Sequence, residues 1–415
     1  DFTDNNSIRL LQSATDGAEL KLDLIRKAKH HIHIMSYYLD NSKFPSEVFK
    51  ELKKAHDRGV EVRILTTFIP TFAKDLKLKT KDNLRVNDGG STFLYLLLGI
   101  KGNVSILNNL HEKIFLVDGK KAIIGGRNLS DSSFRAKDLE VLIEGPMVNQ
   151  LQTHFLKILN VLLEREKTKH CKFDSELASD CYENYDSQSF LASDSNFFPT
   201  HQVVGNVTGR LISHDAVLER IEKKLNRKER REMNDDVINA VVNTKFQSMR
   251  AYNYYILPTE KYKHFIFSSH AENKDIKFIT NSLKTSAIVS NKGYLYSLPI
   301  INDMVKSGIE IYQWQGPENY EYLHEKVIIF DEEHIFLGSH NFGTGSTTMS
   351  NEITIEFYSK EIGRELTLIF DEEIGNPEKT KQATNNNLAR EISENMKTIN
   401  FLRKTVFGKI LEETY

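Results

Sequence analysis

The chain of 415 residues holds only two cysteines, one tryptophan and eight prolines. Cys171 and Cys181 lie in one polar stretch. They leave two possibilities, one disulfide or two free thiols, and their spacing fits no zinc motif. No Cys/His group has metal-ligand spacing, so neither a metal nor another cofactor is expected. Long apolar runs are missing as well. Phe93–Ile100, the longest, falls far short of the roughly 18–20 residues that cross a bilayer. One-sided charge is also lacking, with 55 Lys and Arg against 57 Asp and Glu for a net −2. That balance excludes a protein that coats nucleic acid by bulk charge, although a local basic cleft stays open. The chain starts at Asp1, which fits a removed export signal or a trimmed start.

What is present is an ordinary globular composition, 40% hydrophobic and 27% charged, enough to bury a sizeable core. At roughly 150 residues per domain, the length suggests two to three units or two large halves. Residues 1–165 alternate helix and strand. Glu19–His30 has helical spacing, Ile32–Leu39 is β-prone, and Ser46–Asp57 is amphipathic, with Ser46 as N-cap and Gly59 as stop. Val60–Thr66 alternates like a strand, and the short joins imply a parallel sheet. Residues 241–370 repeat the plan: strand Ala251–Leu257, strand Ile276–Thr280, helix Leu295–Lys306, stop Gly308, strand Ile309–Trp314. Residues 166–240 read as a polar connecting segment carrying the charge run Asn226–Glu232, and 371–415 as a charged helical tail.

One pattern outweighs the others. His111-Glu-Lys113-Ile-Phe-Leu-Val-Asp118 precedes Gly125-Gly126-Arg127-Asn128, and His324-Glu-Lys326-Val-Ile-Ile-Phe-Asp331 precedes Gly338-Ser339-His340-Asn341. His, Lys, Asp, Gly and Asn recur at identical offsets, and Ser133 and Ser346 follow their Asn residues at equal distance. A lone HxK is noise; two copies in matching strand–turn–strand contexts are hard to produce by chance. His and Lys two apart on a strand share a face. The apolar residues then cross the core, Asp ends the strand in a turn, and the next strand returns Asn beside His and Lys.

Two such sets facing each other suit a phosphodiester. Lys113, Lys326, Asn128, Asn341 and the serines would hold the non-bridging oxygens through the transition state. One imidazole would attack phosphorus, and the other would protonate the leaving oxygen and then activate water or an alcohol. An unperturbed pKa of about 6.5 suits imidazole to both tasks.

These segments resemble the paired HxKxxxxD…GSxN motifs of the phospholipase D superfamily, and their surroundings resemble its bacterial cardiolipin synthase-like branch. The likeness is carried by the Gly125–Asn128 turn, by Asp138 with Gly145-Pro146, and by Tyr254-Tyr-Ile-Leu-Pro258. It extends loosely over residues 17–160 and 245–360. The resemblance implies an α/β fold of two pseudo-twofold-related halves, each a mixed sheet flanked by helices, with the site on the axis. It implies that downstream acids, here Asp138 and Glu352, orient the histidines. It also implies His111 as nucleophile and His324 as acid. Asp118 and Asp331 read as structural ties, and Ser339 as a further supporting hydroxyl. Gly126 departs from the usual Ser of the first motif, and the Trp and Arg that often precede the Asp138-type residue are absent.

Three features lean toward lipid: the apolar Ser91–Ile100, the aromatics Phe68, Phe72, Tyr254, Tyr255, Tyr294 and Tyr296, and the lack of basic excess. Lys74–Lys81 is one local basic run. The expectation is therefore a phospholipase D-type hydrolase that cleaves glycerophospholipids to phosphatidic acid and a headgroup alcohol through a phospho-histidine, with transphosphatidylation open to it. Its alternatives are a cardiolipin synthase-like phosphatidyltransferase and a metal-independent nuclease. A pseudoenzyme is disfavoured because both His/Lys/Asn sets are complete. The expected partner is phospholipid at a membrane surface rather than nucleic acid, and the expected location is secreted or peripheral to a membrane.

Overall fold

The computed structural model describes residues 1–39, 42–66, 104–106, 109–173, 197–199, 204–223, 233–286, 291–317 and 320–404. Ser91–Ile100, Lys74–Lys81, Phe68, Phe72, Asn226–Glu232, Cys181 and the side chain of Cys171 lie outside them.

The described strands are β1 (Thr3–Leu11), β2 (His31–Ser36), β3 (Glu61–Thr66), β4 (Val104–Ile106), β5 (Ile114–Val117), β6 (Lys121–Gly125), β7 (Ala136–Lys137), β8 (Glu140–Glu144) and β9 (Val207–Asp215). There follow β10 (Ser248–Asn253), β11 (Asp275–Asn281), β12 (Glu310–Trp314), β13 (Tyr322–Leu323), β14 (Val327–Phe330), β15 (His334–Gly338), β16 (Asn351–Tyr358) and β17 (Thr380–Gln382). All but β7 and β13 join one mixed sheet in the order β17-β12-β11-β10-β14-β15-β16-β9-β1-β8-β6-β5-β2-β3-β4. From the β9–β1 junction outward the order is the same on both sides. β8-β6-β5-β2-β3-β4 mirrors β16-β15-β14-β10-β11-β12, with β2–β3–β4 and β10–β11–β12 parallel and the motif hairpins antiparallel. This is the expected pair of pseudo-twofold-related α/β halves.

The strand sequences explain the layers. Phe115 and Val117 of β5, Ile123 of β6 and Leu142 of β8 pack with Leu22, Ile25, Val48 and Leu52 of the helices Ala14–Lys27 and Lys43–Asp57. Their neighbours Ile114, Leu116, Ile124 and Val141 face the other way, onto Leu151 and Phe155 of helix Met147–Phe173. The second half alternates likewise. Val327, Ile329, Ile335 and Leu337 enter the same inner core as Leu151, together with Leu366 and Phe370 of helix Lys360–Gly375. Both inner helices thus share one core, and each fully buried aliphatic side chain contributes about 1.5–3 kcal/mol.

Several boundaries differ from the sequence reading. Helix Lys43–Asp57 starts earlier, with Ser42 rather than Ser46 at the N-cap, because its first turn tolerates Pro45. It stops at Gly59, whose φ is +90°, and the later helix reaches Gly308 at φ +94°. The stretch 166–240 is more than a connector: β9 runs antiparallel to β16 from Thr208 to Asp215 and adjoins β1, at the centre of the sheet. Thr380–Gln382 adds a strand to the β12 edge, and helix Asn385–Lys404 follows. No helix among the described residues is long and apolar enough to cross a membrane.

Asp118 and Asp331 sit at the far end of the motif strands, at φ +53° and +51°. The Asp118 carboxylate accepts the backbone N–H groups of Lys29, His30 and His31, and Asp331 those of Gln247 and Ser248. Each ties its motif hairpin to the start of the neighbouring strand. Asp118→Ala is expected to cost about 2–4 kcal/mol in urea unfolding, because it strands three donors and places a Cβ residue without local hydrogen bonding at positive φ. Asp118→Asn, which keeps one acceptor and tolerates that φ, should cost less than half as much; equal stability of all three proteins would refute the tie.

Candidate active site

Each catalytic-type histidine enters from a short segment that crosses to the other half. β7 pairs in parallel with β13, and the His324 N–H donates to the Lys137 carbonyl at 2.7 Å. At the pseudosymmetric place the His111 N–H donates to the Asn351 carbonyl at 3.0 Å. These crossings set Asp138 beside His324 and Glu352 beside His111. The His324 Nδ1–Asp138 Oδ2 separation is 2.6 Å and the His111 Nδ1–Glu352 Oε2 separation 2.9 Å. Both rings are therefore held by a carboxylate from the opposite half. With Nδ1–H donating to the acid, Nε2 is the nitrogen that each ring leaves to the site.

The lysines close the frame. Lys113 Nζ donates to the His111 carbonyl and Lys326 Nζ to the His324 carbonyl. Tyr37 meets the His111 ring edge-on at 4.8 Å, and Tyr254 meets His324 at 5.4 Å. Lys113 stands 5.4 Å from the Tyr37 ring and Lys326 5.7 Å from the Tyr254 ring. Asn128 and Asn341 each keep a buried Oδ1 without a hydrogen-bond partner among the described residues. Of the other aromatics, Tyr254, Tyr255 and Tyr296 gather with Leu257 and Tyr322 near His324, whereas Tyr294 is spent in the core on Glu391 and Gln313.

The serines break the symmetry. Ser339 Oγ donates to Glu352 Oε2 at 2.5 Å, and Ser346 Oγ to Oε1 at 2.6 Å while accepting the Asn341 N–H. Ser133 instead donates to the Asn128 carbonyl at 2.9 Å. Gly126 replaces serine for a steric reason: a Cβ there would lie 2.2 Å from Asp138 Oδ1. The shorter Asp side chain draws its carboxylate into the space that the Ser339 side chain fills beside Glu352.

Two positions that the sequence reading passed over lock the turns. Arg127 donates to the carbonyls of Leu11, Gln12 and Asp138. His340 accepts the Phe342 N–H at Nδ1 and meets the buried Asp235 carboxylate at Nε2, 2.9 Å away, where Thr347 also donates. They stand at the variable place in each Gly-x-x-Asn turn. The only advance signal was their polarity, and Asp235 is too remote in sequence to suggest itself.

Burial sets the electrostatics. It lowers His111, with Lys113 and Lys326 adding to it against Glu352, and it pushes His324 down to about 4 with help from Lys326. Desolvation and the neighbouring lysine draw Lys113 down to about 7 against the pull of Glu352, and desolvation brings Lys326 to about 8. Burial alone would raise Glu352, but the adjoining His111 holds it at about 2, and His324 likewise keeps Asp138 low. Four buried cation-capable groups thus face two carboxylates, a site that an anion completes.

The charge of a phosphodiester such as glycerophosphocholine is constant from pH 6 to 9. Its affinity should therefore fall at least tenfold over that range, as Lys113 and Lys326 lose their protons above about 7 and 8. Titration calorimetry reads this, and a flat profile would contradict it. Gly126→Ser should displace Asp138 from His324 and lower kcat at least tenfold with little change in unfolding midpoint. Unchanged kcat would show that the carboxylate has room.

A family described as "Cardiolipin synthase, PLD-like domain" matches residues 22–159 and 237–374, one match per half. The major cardiolipin synthase ClsA of Bacillus subtilis strain 168 is 22% identical over 383 residues, 90% of this chain and 70% of that protein. Cardiolipin synthase 2 of Staphylococcus epidermidis is 21% identical over 380 residues, 89% of this chain and 68% of that protein. The crystal structure of phosphatidylserine synthase from Haemophilus influenzae Rd KW20 superposes with a TM-score of 0.63 at 12% identity, covering 98% of this chain and 95% of that one, a likeness of fold. With both halves matched and both motifs meeting across their junction, the chain belongs to the phospholipase D superfamily, in its cardiolipin synthase-like branch.

Proposed function

We propose that the protein is a phosphatidyltransferase, which moves the phosphatidyl group of a glycerophospholipid to an alcohol, as in cardiolipin synthesis. The observation that carries this reading is the crossed pairing of His111 with Glu352 and His324 with Asp138, which leaves two Nε2 atoms free in one buried cationic site. His111 Nε2 attacks phosphorus, the bond to the headgroup oxygen breaks, and the His324 proton goes to that oxygen. An incoming alcohol then gives its proton to His324. Its oxygen attacks phosphorus, and the phosphorus–nitrogen bond breaks. Lys113, Lys326, Asn128 and Asn341 hold the non-bridging oxygens throughout. The arriving phosphate anion supports the protonated state of His324, which burial disfavours in its absence.

The relatives named cardiolipin synthase favour transfer over the hydrolysis expected from the sequence, because a synthase must deliver the group to an alcohol rather than to water. The substrate class implies contact with a membrane surface. The balanced charge disfavours a nucleic-acid track.

Vesicles of phosphatidylglycerol with the protein in EDTA should yield diphosphatidylglycerol and free glycerol. His111→Ala and His324→Ala should each lower the rate by about a thousandfold or more at unchanged melting temperature. Phosphatidic acid as the sole lipid product would make the protein a hydrolase. Cleavage of single-stranded DNA with lipid untouched would make it a nuclease. More than a tenth of the activity in either variant would exclude the two-histidine chemistry.

A further inference from the structure

Behind each reacting histidine lies a buried glutamate, Glu112 after His111 and Glu325 after His324, and the two halves treat them differently. At Glu325 the cation is built in, brought across by β7 of the first half. Lys137 Nζ lies 2.8 Å from Glu325 and 3.1 Å from Glu373, whose other oxygen accepts a hydrogen bond from the Tyr252 hydroxyl at 2.9 Å. Two buried carboxylates there share one lysine. Beside Glu112 the counterpart of Lys137, directly before the crossing acid, is Asn351 from the second half, which brings no charge.

Glu112 meets instead the imidazole of His154, on helix Met147–Phe173, with Oε1 2.8 Å from Nε2. A second carboxylate, Asp215 at the end of β9, completes the group, and ligand atoms of all three lie within 4.8 Å of one another. Glu112 is fully buried, yet among the described residues its Oε2 has no hydrogen-bond partner, and neither has the buried Asp215 Oδ1. A buried carboxylate oxygen left without a donor costs about 1–3 kcal/mol or more, so two together mark a place that a cation would stabilise.

We propose that Glu112, His154 and Asp215 form a binding site for a first-row divalent cation of the zinc type. Two carboxylates and one imidazole are a familiar ligand set for such an ion, with water as the fourth ligand. Bonds of about 2.0–2.2 Å need ligand atoms somewhat closer than the present spread, and the Asp215 side chain can supply the movement. Asp215 is now held by Lys157 at 2.5 Å, whose own side chain is 56% exposed and can turn to solvent. Binding displaces the proton between Glu112 and His154 and replaces the Lys157 contact. The ion would do for Glu112 what Lys137 does for Glu325, and pin the segment that leads from His111 into β5. Glu112 turns to His154 while His111 pairs with Glu352, so the ion takes no part in the reaction. The three ligands are far apart in sequence, which is why no metal motif announced them.

The test is calorimetric titration of the metal-stripped, thiol-blocked full chain with zinc, followed by a thermal melt. Expected is one equivalent bound with micromolar or tighter Kd and a raised melting temperature. Asp215→Asn and His154→Gln should each weaken binding at least tenfold, Lys157→Ala should leave it equal or tighter, and His111→Ala with His324→Ala should leave it unchanged. Asp215→Asn lies at the rim and is the variant to trust if His154→Gln fails to fold. No saturable binding, binding indifferent to Asp215→Asn, or binding lost with the catalytic-type histidines would each overturn the site. None of these readouts depends on which alcohol or lipid the protein uses.

Discussion

The structure turns on the exchange of carboxylates between its halves. A buried imidazole beside two buried ammonium groups is driven toward its neutral form, and here a carboxylate at Nδ1 holds each ring in orientation. Neither half supplies that anion to its own histidine. Glu352 reaches His111 and Asp138 reaches His324, through the parallel β7–β13 contact and the equivalent Leu110–Asn351 bridge. One half folded alone would present a misdirected ring and an unpaired acid. The β1–β9 junction, the shared inner core and the crossing segments are therefore conditions for the site as much as for the fold.

Within that twofold frame the two exchanged carboxylates are held differently. Glu352 carries two serine hydroxyls besides His111, whereas Asp138 carries a backbone N–H besides His324. A carboxylate whose charge is shared among three donors supports its imidazolium less than one with fewer. The Gly126 exchange belongs to the same adjustment, since a shorter acid and a missing side chain occupy one volume together.

Much of this was legible beforehand, and the reasons are local. The motif strands declared themselves because Ile-Phe-Leu-Val and Val-Ile-Ile-Phe bury both faces between helices, so no polar residue interrupts them. Gly59 and Gly308 marked helix ends because only their positive φ lets the chain turn there. The acids Asp138 and Glu352 were found, but not their crossing, because sequence spacing is blind to which half a strand leans on. β9 was hidden because Arg210, Ser213 and Asp215 make the strand look polar while its pairing to β16 is made by the backbone. Asp235 and His340 stayed silent for a related reason: a buried polar contact between distant residues leaves no periodic trace.

The most direct trial of the central claim, that one phosphorus meets two imidazoles, is to trap the intermediate. The protein would be mixed with phosphatidylglycerol labelled at phosphorus, quenched in alkali during turnover, digested and mapped. Expected is label on the imidazole of His111, lost in His111→Ala, with His324 unlabelled. Turnover with no phospho-histidine, or label on a residue outside this pair, would contradict it.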